Sequence, residues 1–455
     1  MFSLKGAKCF PNYSEFRNVF LLFSFIILFL SFESCKSPTS PVTYRLSLSV
    51  TDVSCTEAWL NLSINNSPLP TNITIMKNGS SFVSFNLSSK DTTIYDSALQ
   101  PNKTYSYQAE YGKGFVTEKS EITSAKTMDT TSNNFTWQTI VLGDGINNSF
   151  SDVEVVNDTS IWAVGLFSIQ NSGTYNVAHW DGKSLNYIAA QFYTVIGQDR
   201  KSFYDASSIL VFKDSTMWVS MAGDQIAVFK GATQTSILAL PVSFGIRKMW
   251  GENSNSVYVA GDGGNILKYD GTNWQQIQSG TTLNIQDIWG VNDPIIGKDQ
   301  ILCIASNVLE SNQNMLLQIK DGFAQVVSNQ GLPPYYFSSV WFKDSRLAYL
   351  TGSGTFKSYD FFNNTGWTSI IPPITTYYSY SIRGNDLNDI FFCGSFGDIA
   401  HFNGIRWKDY LGNELQPFGA GNLNAISVKG NTVCAVGYIV GGNGTQAVII
   451  LGKRN

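Results

Sequence analysis

The sequence has few of the residues on which most catalytic and metal centres depend. Only two histidines occur in 455 residues, and the six cysteines include no CxxC pair, so zinc and dithiol redox sites are not indicated. Charged residues make up 14% of the chain, below the roughly 25% of ordinary globular proteins. The 30 lysines and arginines are outnumbered by 34 acidic residues, which argues against a nucleic-acid partner.

Known catalytic motifs are also missing. The chain has no G-x-S-x-G elbow, no H-E-x-x-H motif and no P-loop. His179 and His401 stand in two similar segments, AHWDG and AHFNG, and a residue that recurs in a repeat favours a structural role. We therefore expect no cofactor and no bound metal. A pair of carboxylates for glycosidic chemistry stays open as an alternative.

One hydrophobic run is present, at residues 19–32, behind Lys5, Lys8 and Arg17. It has the length of a signal-peptide core and is shorter than the ~20 residues of a membrane-spanning helix. The Ser34-Cys35 pair that follows resembles a bacterial lipoprotein cleavage site, which implies lipidation of Cys35. We expect a signal peptide at 1–34 and a tether at 35–42. Plain secretion and a retained anchor are the alternatives.

A repeat dominates the chain from residue 149 onward. Each unit has a short apolar strand, a polar turn, a second strand that ends near a small residue, and a third strand, as in KMWG (248–251), VYVAG (257–261) and LKYDG (267–271). Several units add a fourth strand headed by an aromatic residue. Four short strands about every 40–50 residues, separated by Gly and Asn/Asp turns, are typical of propeller blades.

Counting the units predicts seven blades at residues 135–455, of which the last lacks its fourth strand. Residues 135–142, with Trp137, have the pattern of a fourth strand and precede the first blade. The ring is therefore expected to close by pairing this segment with the last blade, which also removes exposed sheet edges. Cys393 and Cys434 fall on second strands of neighbouring blades, and are the one disulfide candidate.

The segments VYVAGDGGNILKYDGTNWQQIQSG (257–280) and DIWG (287–290) resemble the bacterial propeller repeats related to the photosystem assembly factor and neuraminidase-type repeat families. The resemblance extends over about residues 135–455 and implies a propeller fold. The neuraminidase Asp-box is absent in its full form, since YDGTNW matches only part of it. The resemblance therefore implies no catalytic residue.

Residues 43–128 have a different pattern of alternating strands, such as YRLSLSV (44–50). Trp59 on the second strand and the LQPNKTY stretch that ends at Tyr105 resemble the fibronectin type III family. The resemblance implies a tyrosine corner at Tyr105, in which the hydroxyl bonds to upstream backbone. A linker is expected at 129–134. The whole chain is thus predicted to be all-β, with a sandwich followed by a propeller.

Two aromatic clusters fall on loops that lead into the fifth and sixth blades. Tyrosine combines a rigid apolar ring with a hydroxyl, which suits contact with a peptide or a sugar. These residues are predicted to bind a ligand, although they could instead wedge adjacent blades together: Tyr335, Tyr336, Phe337, Tyr377, Tyr378 and Tyr380.

Together these features favour an exported, lipid-anchored binding or scaffolding protein of the bacterial cell envelope. The expected location is the outer membrane or cell surface, or otherwise the periplasm or medium. The expected partner is a glycan, a peptide or another envelope protein, and the protein is expected to be a monomer. A glycan-active propeller enzyme and an assembly factor for an envelope protein are the rival interpretations.

Overall fold

A computed structural model describes residues 46–65, 69–113, 116–143, 146–293, 298–307, 313–359, 361–363, 366–371 and 373–455. The signal segment, the tether and Cys35 lie outside these residues. No helix among the described residues is long and apolar enough to span a membrane. Residues Arg45–Asn455 form one compact unit.

The strands between residues 46 and 126 form a two-layer sandwich. They alternate between buried and exposed side chains, as in β1, where Leu46 and Leu48 are buried and Ser47 and Ser49 exposed. One sheet has the order β1-β2-β5, and the other β4-β3-β6-β7, with β8 also on β6. The strands are β1 (Leu46–Val53), β2 (Ala58–Ile64), β3 (Thr71–Lys77), β4 (Ser80–Leu87), β5 (Asp91–Asp96), β6 (Thr104–Lys113), β7 (Val116–Lys119) and β8 (Thr123–Lys126).

The later strands of the described part form seven four-stranded antiparallel sheets and one short hairpin. The strands up to the third sheet are β9 (Phe135–Leu142), β10 (Ser149–Asn157), β11 (Ser160–Ile169), β12 (Gly173–Trp180), β13 (Leu185–Ile188), the hairpin β14 (Phe192–Tyr193) and β15 (Lys201–Ser202), β16 (Ala206–Val211), β17 (Thr216–Met221), β18 (Gln225–Lys230), β19 (Thr233–Ala239), β20 (Ile246–Asn253), β21 (Ser256–Gly261), β22 (Ile266–Tyr269) and β23 (Trp274–Ile277).

The fourth to seventh sheets continue the same order, and short 3₁₀ turns lie at Asp262–Gly264 and Phe361–Asn363. The strands are β24 (Ile285–Asp293), β25 (Lys298–Ser306), β26 (Asn314–Lys320), β27 (Phe323–Val327), β28 (Phe337–Asp344), β29 (Leu347–Gly352), β30 (Gly354–Tyr359), β31 (Thr368–Ser369), β32 (Ser379–Asp386), β33 (Asp389–Gly394), β34 (Ile399–Phe402), β35 (Trp407–Asp409), β36 (Gly421–Lys429), β37 (Thr432–Gly441) and β38 (Gly444–Arg454).

The seven sheets make a closed, propeller-like ring. The first strand of each sheet lies against the first strand of the next, and β36 lies against β10. The seventh sheet has the order β36-β37-β38-β9, in which Trp137 pairs with Gly452. The segment before the first sheet therefore supplies the outer strand of the last one, as the sequence predicts.

The small residue that ends strand two in the repeat has a steric cause. A Cβ at Gly165 would lie 2.1 Å from the Ser149 carbonyl oxygen, and one at Gly437 would lie 1.9 Å from that of Asn422. At these points the first strand carries a β-bulge that brings its backbone against the second strand. Glycine is thus required by the close approach of two backbones.

The sandwich does not stand apart from the ring, although the sequence suggests a separate domain and linker. Trp59 is 4% exposed, but it packs with Trp341 and Tyr349 of the fifth sheet and is not part of the sandwich core. Trp59 therefore lies at the contact between the sandwich and the fifth sheet. Arg346 forms an ion pair with Asp52 and lies over the Trp59 ring.

The segment between sandwich and ring is tied to the sixth sheet. The Thr131 N–H donates to the Asn403 carbonyl at 3.2 Å, and the Asn388 side-chain amide donates to the Asp129 carbonyl at 2.7 Å. These bonds replace those to water that a free linker would make. The sandwich is consequently held against the ring along this segment as well as through Trp59.

The four cysteines of the described residues are all buried and free, so Cys393 and Cys434 do not form a disulfide. Cys303, Cys393 and Cys434 lie on the second strands β25, β33 and β37. Burial raises the pKa of each of these thiols, which keeps them protonated and unreactive. They behave as small hydrophobic core residues.

Candidate functional site

The clearest candidate site lies where the first strands of the sheets begin, around one mouth of the central channel. A cleft of about 420 Å³ opens there, a size within the usual range of ligand pockets. Each sheet contributes a residue from the start of its first strand or from the loop before it. The residues that carry the chemistry are Asp152, Arg247, Lys248, Asp287, Tyr336, Tyr380 and Arg383.

Three of the predicted tyrosines meet at this mouth. The rings of Tyr336 and Tyr378 stack with their centroids 5.5 Å apart. The ring centroids of Tyr378 and Tyr380 are 4.9 Å apart. Burial raises the pKa of Tyr336 and Tyr378, so both hydroxyls remain protonated at neutral pH and can donate hydrogen bonds. Tyr336 and Tyr380 line the cleft itself. We call these three residues the tyrosine wall.

The other predicted aromatics have separate places. Tyr335 is 50% exposed and Tyr377 is 43% exposed, and Tyr377 packs against Phe396 at 4.9 Å. Phe337 is fully buried and packs edge-on against Phe356 at 5.5 Å. Its side chain packs in the core between the fourth and fifth sheets. The structure therefore contradicts a surface role for Phe337.

Arg247 is a residue of the mouth that the sequence analysis missed. Its guanidinium donates to Asp262 at 2.5 Å and to the Gln286 side chain at 3.2 Å. Arg247 is 40% exposed, so part of the guanidinium remains open to solvent. One signal could have identified it, because Arg247, Gln286, Ser338 and Tyr380 each stand just before the apolar pattern of a first strand. Residues at that repeat position face the mouth.

Below the mouth, the channel is crossed by two buried ion pairs. Lys248 Nζ lies 2.5 Å from Asp152 Oδ1. Arg383 binds both carboxylate oxygens of Asp287, at 2.8 and 2.9 Å. Burial opposes ionisation of Asp287, but the Arg383 guanidinium outweighs it and lowers the pKa of Asp287. The Asp287 carboxylate is therefore charged, and both carboxylates are already bound by cationic side chains.

The same carboxylates connect neighbouring sheets. Asp152 accepts bonds from the Ser208 hydroxyl and the Ile209 N–H of the second sheet, at 2.9 and 3.0 Å. Asp287 accepts the equivalent pair from Ser339 and Val340 of the fifth sheet, at 2.6 and 3.0 Å. The repetition of this contact across two sheet boundaries indicates a structural role.

Glu154 also faces the channel, and burial raises its pKa to about 7. A carboxyl group of that pKa can donate or accept a proton near neutral pH. The nearest acidic neighbour that acts on it is Asp152, which is held by Lys248. Glu154 is thus a titratable carboxyl group next to the Asp152–Lys248 ion pair. The two-carboxylate arrangement of glycosidases would require Asp152 to leave Lys248.

The two histidines have structural surroundings. His179 stacks on Trp162 with centroids 3.8 Å apart. His401 is fully buried, with Nε2 2.8 Å from Asp389 and Nδ1 2.6 Å from the Asn133 side chain. Arg454 of the last strand pairs with the same Asp389. His401 thereby joins the segment before β9, the sixth sheet and the end of the chain.

This arrangement predicts a pH-dependent stability. Burial lowers the pKa of His401, and this effect is larger than the rise caused by the Asp389 carboxylate. The positive charges of Arg454 and Lys408 also lower the pKa of His401. The folded protein therefore binds fewer protons at this site than the unfolded chain. The contribution of His401 to the free energy of unfolding is therefore fully present above pH 6.5. It falls as the pH drops below 6.5, by at most about 1.4 kcal/mol per pH unit.

Urea unfolding of the parent and His401→Gln at pH 7.5 and 5.5 measures this effect. Glutamine keeps hydrogen bonding but cannot titrate, so the variant should lose less stability between the two pH values than the parent. Equal losses in both proteins would show that His401 does not contribute to the pH dependence.

Tyr105 and Trp137 are the other two residues for which the sequence predicts a structural role. The Tyr105 hydroxyl accepts a hydrogen bond from the Gln100 N–H at 2.9 Å, which is the upstream backbone contact that a tyrosine corner requires. The ring centroid of Trp137 on β9 lies 4.9 Å from that of Tyr410 and 5.5 Å from that of Phe135. Trp137 thus packs the closing strand against the core between the sixth and seventh sheets.

In the described part of the chain, no three or more His, Cys, Asp and Glu side chains form a cluster that could hold a metal ion by themselves. The mouth instead offers aromatic faces, hydroxyl donors and one partly exposed guanidinium. Such a surface can bind and orient a ligand. The chemistry it displays is recognition through stacking and hydrogen bonds.

Comparison with known proteins gives the fold and no more. No protein-family model and no curated protein matches the sequence. A solved structure described as YCF48 bound to D1 peptide is similar with a TM-score of 0.50 and 13% identity, over 72% of this chain and 99% of that chain. The WD40 β-propeller domain of Doa1 has a TM-score of 0.44 and 10% identity, over 70% and 97%. The seven four-stranded sheets and the similarity to the YCF48 structure show that the chain has an all-β, propeller-like fold.

Proposed function

We propose that this chain is a binding protein without catalytic activity, which recognises a peptide segment of a partner protein at the channel mouth. The tyrosine wall is the observation that carries the proposal. Tyrosine and arginine dominate the energetic centres of protein interfaces, and here Tyr336, Tyr380 and Arg247 line one cleft. The ring beneath them is rigid because ion pairs and serine hydroxyls connect its sheets.

The proposal includes the finer architecture. The seven sheets are the blades of a seven-bladed propeller, closed by residues 135–142. The sandwich at 43–128 is fibronectin type III-like, which its two sheets and the Tyr105 contact support. The similar YCF48 structure contains a bound peptide, which is consistent with a peptide or protein partner for a fold of this kind.

A glycan ligand or a glycan-active enzyme is the second candidate, and Glu154 is the observation that favours it. Its pKa of about 7 suits a general acid. However, Asp152 and Asp287 are both engaged by cations. We therefore favour binding over catalysis, and a role as an assembly factor for an envelope protein would use the same peptide-binding mouth.

The tyrosine wall predicts a specific loss of peptide binding. Panning a phage-displayed dodecapeptide library against the purified protein should enrich sequences that bind the mouth. Tyr336→Ala/Tyr380→Ala should weaken binding of the selected peptides about tenfold or more, measured by fluorescence anisotropy, because buried aromatic contacts contribute over ~1 kcal/mol each.

Phe323→Ala is the matched control, since Phe323 is an exposed aromatic on the outer strand β27 of the fourth sheet. It should bind the same peptides as the parent does. Equal binding by the double tyrosine variant, or no enrichment in the panning, would refute the proposed mouth.

Export and lipid anchoring complete the proposal, with Cys35 as the lipidated residue and the cell envelope as the location. The hydrophobic run at 19–32 followed by Ser34-Cys35 supports it. Mass spectrometry of the protein from native membranes should show a mature chain that begins at a diacylated or triacylated Cys35. An unmodified N-terminus at another residue would contradict the lipid anchor.

A further inference from the structure

The sixth sheet carries a carboxylate where three other sheets carry a carboxamide. Asn176, Gln225 and Asn265 immediately precede the apolar part of strand three in sheets one, two and three. The pairing of strands two and three places Asp398 at the same position in the sixth sheet. The four positions can therefore be compared directly.

Each carboxamide donates to a backbone carbonyl of a neighbouring loop or turn. Asn176 donates to the carbonyls of Ala190 and Tyr204, both at 3.0 Å. Gln225 donates to Tyr193 at 3.0 Å, and Asn265 donates to Asp262 at 2.8 Å. An ionised carboxylate has no hydrogen to donate, so Asp398 cannot make the equivalent contact.

Asp398 is fully buried, and neither of its carboxylate oxygens makes a hydrogen bond of good geometry, although the Thr375 hydroxyl is near enough to lower its pKa. The polar side chains beside it are the Asp409 carboxylate and the Thr375 hydroxyl. Asp409 accepts the Leu411 N–H through Oδ1 at 2.8 Å. Within the described residues neither carboxylate lies in an ion pair. A buried charge without a partner is strongly unfavourable.

We propose that Asp398 and Asp409, with the Thr375 hydroxyl, bind a calcium ion. The cation would stand where the amide hydrogens stand in the other sheets, and would balance the two negative charges. Oxygen ligands of this kind suit hard divalent cations. Calcium fits better than magnesium, because magnesium retains several waters and the enclosed Asp398 carboxylate leaves little room for them. Backbone carbonyls or water would complete the coordination.

The calcium site and the peptide-binding mouth have no ligand residue in common. Asp398 lies in the turn between β33 and β34, and Asp409 ends β35. Thr375 precedes Tyr378 of the tyrosine wall by three residues, but none of the three proposed ligands lines the cleft. Failure of one proposal therefore leaves the other standing. The calcium ion would have a structural role, since it would connect the turn, the outer strand and the loop that enters the sixth sheet.

Thermal unfolding of the chelator-treated full chain tests the proposal. Calcium chloride at 1 mM should raise the Tm by about 2–5 °C, since a ligand that binds only the folded state stabilises it. Magnesium at the same concentration should raise it less. Asp398→Asn should abolish the response, and without calcium it should melt above the chelated parent, because the amide restores the donor found in the other sheets.

Asp270→Asn is the matched control, with the same change of charge at an exposed turn, where the Asp270 carboxylate accepts the Thr272 and Asn273 N–H groups. It should keep the full calcium response. Terbium gives a second readout, since Trp407 lies two residues from Asp409 and should sensitise terbium luminescence in the parent but not in Asp398→Asn.

A different outcome is expected if Asp398 is protonated and binds no calcium. In the alternative state Asp398 holds a proton in place of calcium, because burial and the nearby Asp409 carboxylate raise the pKa of Asp398 to about 7. In that case calcium would leave the Tm unchanged and terbium would not luminesce. Asp398→Asn would then stabilise the protein at pH 8 but not at pH 5, and this outcome would overturn the calcium site.

Discussion

Replacing Asp287 with alanine should lower the free energy of unfolding by about 3–5 kcal/mol, because it leaves the Arg383 guanidinium buried without its partner. The Ser339 hydroxyl and the Val340 N–H would lose their acceptor at the same time. The carboxylate connects the fourth sheet to the fifth and, across the channel, to the sixth. Chemical unfolding in urea measures the loss.

Two further variants identify the cause of this effect. Asp287→Ala/Arg383→Met removes both charges and should recover part of the stability, since no unpaired charge remains. Lys230→Met removes an exposed ion pair to Asp214 and should change stability by less than ~1 kcal/mol. A small effect of Asp287→Ala, comparable to that of Lys230→Met, would mean that water reaches the channel and solvates Arg383.

Replacing Trp59 with alanine should separate the sandwich from the ring. The side chain is buried between the two, and loss of a buried tryptophan destabilises proteins by about 3–5 kcal/mol. Its ring also carries the Arg346 guanidinium at 5.6 Å. We expect calorimetry to show one unfolding transition for the parent protein and two for Trp59→Ala, with the sandwich melting first.

Trp59→Phe provides the control, since phenylalanine keeps an aromatic face for Arg346 and much of the buried area. It should retain a single transition at a slightly lower Tm. If Trp59→Ala unfolded in one transition within about a degree of the parent protein, the remaining contacts, at 129–134 and between Asp52 and Arg346, would be sufficient to couple the two parts.

The strands of the ring could be predicted because their signals are local. Alternating burial and Gly or Asn/Asp turns depend on residues close together in the chain, and the same pattern recurs in every sheet. The pairing of β9 with β38 followed from one missing strand at the end and one surplus strand at the start. The free, buried state of Cys393 and Cys434 shows the limit of that reasoning, since proximity in neighbouring sheets did not produce a bond.

The candidate site could be predicted only in part. The tyrosines were found because they cluster in sequence, and the structure brings Tyr336, Tyr378 and Tyr380 together. Phe337 was included only because it is adjacent to them, although the start of β28 turns it into the core. Arg247 was missed because it stands alone in the sequence, and its place at the mouth depends on how the seven first strands surround the channel.

The sequence by itself determined that this protein is an all-β repeat chain, because strand alternation and turn residues act over a few positions. Only the tertiary structure decided which side chains meet across the ring. Asp287 and Arg383 come from different sheets, and Trp59 and Trp341 come from the sandwich and the ring. Such contacts depend on the closure of the ring and on the packing of the sandwich against it, which bring together residues that no local pattern connects.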